Sequence, residues 1–190
     1  MWTSLLALVT ALCFLGPANI SPSQPTATAG ITVGDKEDVN WVNWSEASEQ
    51  NNKKRQARPV LVDFYTDWCG WCKRQDATTF RDPRVVAYLN KHFHAIKFDA
   101  EGSETIAYNG ETLGRTGKTH DWALQIATKR GRIGYPTMVI LDETGAPLTV
   151  LPGYHTPEKL LPLLTYYAEG FYRDFDFATF EGMYTLPLNR

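Results

Sequence analysis

The chain has 190 residues, enough for one domain with a proper core together with a targeting segment and a tail. Apolar residues make up 43% and charged residues 21%, the balance of a soluble globular protein. A formal charge of -2 argues against nucleic acid or an anionic membrane surface as an electrostatic partner, since both would favour a basic face. Three cysteines are too few for a disulfide scaffold. No glycine-rich phosphate loop or dinucleotide fingerprint is present, so the sequence implies no organic cofactor.

Residues 1–18 read as a secretory signal peptide. Leu5 to Leu15 is an apolar run broken only by Thr10, and Gly16-Pro17-Ala18 supplies small residues for cleavage. No Lys or Arg precedes the run, and the alternative is an uncleaved anchor, although the run is shorter than the roughly 20 residues that span a bilayer. Cys13 follows Ala11-Leu12, which is not a lipoprotein signal, and it leaves with the segment. Residues 19–38 are rich in small and polar residues and read as a flexible leader. The folded domain is expected over 39–172.

Ser45 is a candidate cap for a polar helix from about Glu46 to Ala57, stopped by Pro59, with Trp44 and Ala47 inward. Val60 to Tyr65 is a nearly continuous apolar run and reads as a central strand buried on both faces. A helix starts at the cysteine motif that follows. Asp82-Pro83 caps a further helix to about Asn90, with Val85, Val86 and Leu89 on one face. Ala95 to Asp99 is the next strand. Residues 101–119 have no firm period and read as an inserted loop, either inert or covering part of a site rim. Asp121 to Arg130 is a helix facing inward through Trp122, Ala123, Ile126 and Ala127. Thr137 to Leu141 and Pro147 to Leu151 form a hairpin around Glu143 to Ala146. Thr156-Pro157 opens the last helix, with a stripe of Leu160, Leu164, Tyr167, Ala168 and Phe171. The tail, 173–190, carries Phe175, Phe177, Phe180 and Tyr184 and is expected to pack back on the domain. This order predicts an α/β fold: a central mixed β-sheet with a right-handed parallel crossover, a closing hairpin, and helices on both faces.

The chemistry concentrates in Trp68-Cys69-Gly70-Trp71-Cys72-Lys73. Two cysteines at C-x-x-C spacing at a helix start can close a reversible disulfide. There the unpaired N–H groups and the helix dipole favour a thiolate, which is the nucleophile. Cys69 is expected to attack a substrate disulfide, and Cys72 to resolve the mixed disulfide. Lys73 and Arg74 add positive charge. Gly70 lets a partner backbone approach, and Trp71 offers an apolar surface. A zinc site built from Cys69, Cys72, His92 and His94 is the competing reading; it lacks a second C-x-x-C, and no metal is expected. A static disulfide closing so short a loop would constrain the unfolded chain only weakly.

Val62-Asp63-Phe64-Tyr65-Thr66-Asp67-Trp68-Cys69-Gly70-Trp71-Cys72-Lys73 resembles the active-site strand and turn of thioredoxins, and most of all exported thioredoxin-like proteins. Gly134-Tyr135-Pro136-Thr137 resembles their second signature, a loop with a cis proline facing the disulfide, and Gly153-Tyr154 their glycine turn before the final helix. The resemblance covers roughly Trp41 to Phe171 and implies a thioredoxin fold with a Cys69–Cys72 disulfide. It implies that Asp63 is a buried acid acting on Cys72, that Lys97 tunes it, and that the Tyr135 backbone beside Pro136 pairs with a substrate strand. Trp68 would shape the rim. A bland alternative makes Asp63 only a strand acid satisfied by Lys97. Trp71 stands where proline is common, which leaves the redox potential open. The implied activity is disulfide exchange with protein substrates, preferably as a reductase supplied by a membrane or soluble thiol donor in an exported, periplasmic or secreted setting. A non-catalytic binding module or chaperone on the same fold is the alternative.

Overall fold

The computed structural model describes residues 37–53 and 57–184. The predicted signal segment and all but the last two residues of the predicted leader lie outside the described residues. Those two, Glu37 and Asp38, are tied to the domain: Asn90 Nδ2 donates to Glu37 Oε1 and to the Asp38 carbonyl, and Arg81 pairs with Asp38.

A short strand β1 (Trp41–Val42) precedes helix α1 (Trp44–Asn52). The cap is Asn43, not Ser45: Asn43 Oδ1 accepts the Glu46 N–H at 2.8 Å, and Ser45 lies inside the first turn. The helix ends earlier than Ala57. Asn51 turns its side chain back to the Arg58 backbone, accepting from its N–H and donating to its carbonyl. Strand β2 (Val60–Tyr65) leads to α2 (Gly70–Ala77), a 3-10 turn at Thr79–Arg81, and α3 (Pro83–His92), whose cap Asp82 accepts the Arg84 N–H. Strand β3 is His94–Asp99.

The predicted loop at 101–119 holds a hairpin instead, β4 (Ile106–Tyr108) and β5 (Glu111–Leu113). Asn109 and Gly110 both have positive φ, 50° and 81°, the geometry of a two-residue primed turn that Asn-Gly favours. Ile106 and Tyr108 are buried, the Tyr108 hydroxyl donates to the Gly145 carbonyl at 2.8 Å, and Trp44 Nε1 donates to the Ala107 carbonyl at 2.7 Å. The insertion therefore contributes Ile106 and Tyr108 to the core, with Leu113 packed against it. Helix α4 (Asp121–Ile126) stops short of Arg130, because Lys129 and Arg132 form a tight bridge whose turn residues, Arg130 and Gly131, have φ of 52° and 74°.

Strands β6 (Thr137–Leu141) and β7 (Pro147–Pro152) complete a five-stranded sheet of order β1-β3-β2-β6-β7. The β1, β3 and β2 strands are parallel, and β6 and β7 run antiparallel to their neighbours. The period-2 alternation divides the core. Val60, Val62, Phe64, Ile96 and Phe98 face α1, α4 and the β4–β5 hairpin, around edge-to-face contacts of Phe64, Phe98 and Trp122. Leu61, Ala95, Met138 and Ile140 face α3 and α5 (Pro157–Ala168). The expected mixed sheet with helices on both faces is the observed one.

Helix α5 is not the last. A 3-10 turn at Phe171–Arg173 and α6 (Phe177–Met183) follow, and buried Phe180 packs on Tyr166 at 5.2 Å. This return rotates the buried stripe of α5: Leu161, Thr165 and Tyr166 are buried beside Leu160 and Leu164, while Tyr167, Ala168 and Phe171 are only partly covered. Among the described residues no helix is long and apolar enough to cross a membrane.

Candidate active site

Strand β2 delivers the chain to the cysteines at one end of the sheet. Cys69 caps α2, and Cys69 and Cys72 are joined as a disulfide. Cys69 Sγ accepts the Cys72 N–H at 3.0 Å, so one of the helix's unpaired donors already points at the sulfur that would carry negative charge after reduction. The motif turn is fixed by Cys69 N–H donating to the Thr66 carbonyl at 3.1 Å. In this disulfide form Cys69 is only 4% exposed and Cys72 2%; both are covered, and what stands out are Trp68 and Trp71 at 62% and 56%.

The sheet register assembles the second half of the site. Phe64 pairs with Thr137, so residues 135 and 136 lie just beyond β6 at the same sheet end as the cysteines. The Tyr135–Pro136 peptide is cis, and the Gly153 N–H donates to the Pro136 carbonyl at 2.8 Å. Trp68 packs edge-on against Tyr135 at 5.9 Å, and its Nε1 donates to Glu101 Oε2 at 3.0 Å. Lys118, which follows the β4–β5 hairpin, sits 5.7 Å over Trp68. Gly70 has open space where a side chain would stand.

Asp63 and Lys97 are direct neighbours in the parallel β2–β3 ladder, so both point to the face that carries α2 and α3. Lys97 Nζ lies 2.8 Å from Asp63 Oδ2 and also pairs with Asp76, four residues past Cys72. Asp63 is wholly buried, and desolvation pushes its carboxyl up to about 6 against the opposing pull of Lys97. Lys97 is a fifth exposed; burial lowers its pKa, but Asp63 and Asp76 more than offset this, and the net direction is upward. Lys97 also lies between 5.2 and 5.4 Å from the Trp41, Tyr65 and Phe80 rings, and it lines an open cleft with Asp76, Trp41 and Phe80.

Sequence reading missed Gln75. It is fully buried on the same side of α2 as Cys72, three residues away; a polar residue at that spacing was the available signal. Its Oε1 accepts the His155 N–H at 3.1 Å, which turns its amide N–H toward Asp63 Oδ1 at 3.3 Å. Replacing Gln75 with methionine keeps the volume and removes that donor. The Asp63 carboxyl of Gln75→Met is expected to titrate above its wild-type value by up to about one pH unit, measured by carboxyl NMR. An unmoved titration would show that the amide does not act on the acid.

The zinc reading fails on geometry. His92 ends α3 and stacks on Tyr88 at 4.4 Å, whereas His94 opens β3 opposite Val60, so they do not share a strand face. Val60 begins β2 and Cys69 follows its other end, which separates the two pairs by a strand length of about 17 Å. Ligands at that distance cannot share an ion.

A disulfide that opens the helix after the central strand, faced by a cis-proline loop and backed by a buried acid, defines a thioredoxin-like domain. A profile of the thioredoxin-like domain family matches residues 46–168, more than half of the chain, and the chain belongs to that family. The thiol:disulfide interchange protein DsbD of Vibrio vulnificus (strain CMCP6) is 46% identical over 46 residues, 24% of this chain and 8% of that protein. DsbD of Tatumella citrea is 30% identical over 86 residues, 44% of this chain and 15% of that protein. The chain thus spans less than a fifth of the length of these curated relatives. A thioredoxin-fold protein from Helicobacter pylori superposes with a TM-score of 0.51 at 22% identity, covering 67% of this chain and 80% of that one. The DsbH oxidoreductase superposes with a TM-score of 0.50 at 16% identity, covering 81% of this chain and 95% of that one. These likenesses establish the expected thioredoxin fold.

Proposed function

We propose that this chain reduces disulfides in protein clients by exchange through Cys69 and Cys72. The observation that carries the reading is the Cys72 N–H aimed at Cys69 Sγ at the start of α2. Once the disulfide is reduced, the same donor and the helix terminus favour a Cys69 thiolate. That thiolate attacks one sulfur of a client disulfide and expels the other as a thiolate. Cys72 gives its proton to Asp63, attacks Cys69 Sγ and releases the second client thiol. Two electrons pass from the Cys69–Cys72 dithiol to the client, and a membrane or soluble thiol donor restores the dithiol. Asp63 suits the base role because its carboxyl, raised to about 6, is ionised at neutral pH yet basic enough to take a proton. Lys97 holds it in place, and the cleft beside Lys97 returns the proton to water. The client segment pairs with the backbone at Tyr135 and Pro136, above Gly70 and between Trp68 and Trp71.

The setting we propose is outside the cytoplasm, periplasmic or secreted, after export by residues 1–18. The name thiol:disulfide interchange protein, borne by the DsbD relatives, supports the exchange chemistry. Equilibrating the protein with glutathione buffers tests its direction. A reductase is expected to have a potential more negative than about -200 mV; a value near -120 mV would make it an oxidant and overturn the proposed direction.

A further inference from the structure

Beside the disulfide, Trp71 belongs to a cluster whose other members, Arg74 and Tyr154, this chemistry leaves unused. Trp71 and Arg74 are three residues apart on α2 and share a face. The Arg74 guanidinium lies 5.3 Å from the centre of the Trp71 ring and 5.5 Å from that of Tyr154, and the two rings are 5.7 Å apart. The Tyr154 hydroxyl is 3.0 Å from Thr78 Oγ1, which donates to the Arg74 carbonyl at 2.8 Å. The cation is thus held from two sides, by the helix and by the loop whose Gly153 binds Pro136.

Among the described residues Arg74 has no ion pair. The other side of the disulfide differs. There Lys118, over Trp68, lies 3.7 Å from Glu101 Oε1, and Glu101 also accepts from Trp68. The rim is therefore positive at Trp71 and compensated at Trp68. A guanidinium fixed on aromatic faces keeps its planar fork of N–H donors available for a carboxylate and loses little freedom in binding one.

We infer that Arg74, framed by Trp71 and Tyr154, is a carboxylate-recognition site that selects client segments carrying Asp or Glu close to the cysteine under attack. This rests on the proposed reduction of protein disulfides and names the kind of client that the rim favours. An extended client crossing Cys69 beside Tyr135 would place a side chain near its cysteine on the Trp71 side. An exposed rim charge acts mainly on the rate of encounter and is screened by salt.

Two short peptides test this. They share one sequence and one cysteine, and they differ only in carrying Glu or Lys on both sides of it. The cysteine is blocked as a mixed disulfide with thionitrobenzoate. The reduced protein's Cys69 thiolate attacks the peptide sulfur, the bond to thionitrobenzoate breaks, and the coloured thiolate leaves. Cys72 then displaces the peptide thiol. Each rate is divided by that of the same peptide with dithiothreitol, which removes the peptide's own reactivity. Any change in Cys69 reactivity cancels in the ratio of the two peptides.

The wild-type protein is expected to prefer the Glu peptide about fivefold at low salt. The preference should approach unity at high salt and in Arg74→Gln, and return in part in Arg74→Lys. A wild-type ratio of one, or a preference that Arg74→Gln leaves unchanged, overturns the inference. If the reduced protein consumes neither peptide nor the neutral 2-hydroxyethyl disulfide, the oxidoreductase reading itself fails and the inference falls with it.

Discussion

Cys72→Ala is expected to accumulate a covalent complex with client proteins, stable on a gel without reductant and dissolved by dithiothreitol. The reason lies in the order of the two sulfurs. Cys69 caps α2 and receives the helix N–H, so it attacks first; among the described residues Cys72, one turn below, is the thiol that can reach the Cys69 sulfur and break the mixed disulfide. Removing it leaves the first step intact and slows the second to the rate at which outside thiols intervene. Cys69→Ser should lose disulfide reduction completely, because a hydroxyl at this position stays protonated and is a poor nucleophile toward sulfur. A double Cys69→Ser, Cys72→Ala variant should form no covalent complex. If client proteins bound it as firmly as they bind the wild type, the chain would be a binding module on this fold.

Asp63→Asn is expected to trade activity for stability in a pH-dependent way. The folded carboxyl titrates near 6, above the 3.8 of an unperturbed aspartate, because burial disfavours its charge. The folded state thus holds its proton more tightly than the unfolded state. The stability from this group is fully present at acid pH and is lost as the pH rises from about 4 through about 6. The difference corresponds to about 3 kcal/mol between the two limits. Denaturant titrations of wild type and Asp63→Asn at acid and at alkaline pH isolate it, since the other carboxylates are common to both. The variant should gain on the wild type at alkaline pH. The same substitution should lower the rate of client release above pH 6 by roughly 10²-fold, the ordinary worth of a positioned base. An unchanged pH profile of release would leave Asp63 as a strand acid satisfied by Lys97.

Much of the fold was legible because its signals are local. The apolar run of β2, the Asp82-Pro83 start of α3 and the turn between β6 and β7 each carry their own chemistry. The Asp63–Lys97 pair was legible from the resemblance, and the parallel register explains it physically. The β4–β5 hairpin was missed although Asn109-Gly110 is a hairpin-turn pair: strands of three residues are so short that the glycines and threonines around them masked the period. Other features exist only through distant contacts. Gln75 shares the Cys72 side of α2 by its spacing, but its partners, the His155 backbone and Asp63, are set by the fold, as is the contact of Lys118 with Trp68. The buried stripe of α5 depends on α6 returning over Tyr166, which periodicity within α5 cannot foretell.

The whole account turns on a sulfur at the start of α2 that gives up its proton more readily than an ordinary thiol. Alkylation of Cys69 by iodoacetamide in reduced Cys72→Ala, followed across pH, measures this directly. The predicted half-point lies below 7.5, against about 8.5 for a free cysteine. A half-point at or above the free value would contradict the account.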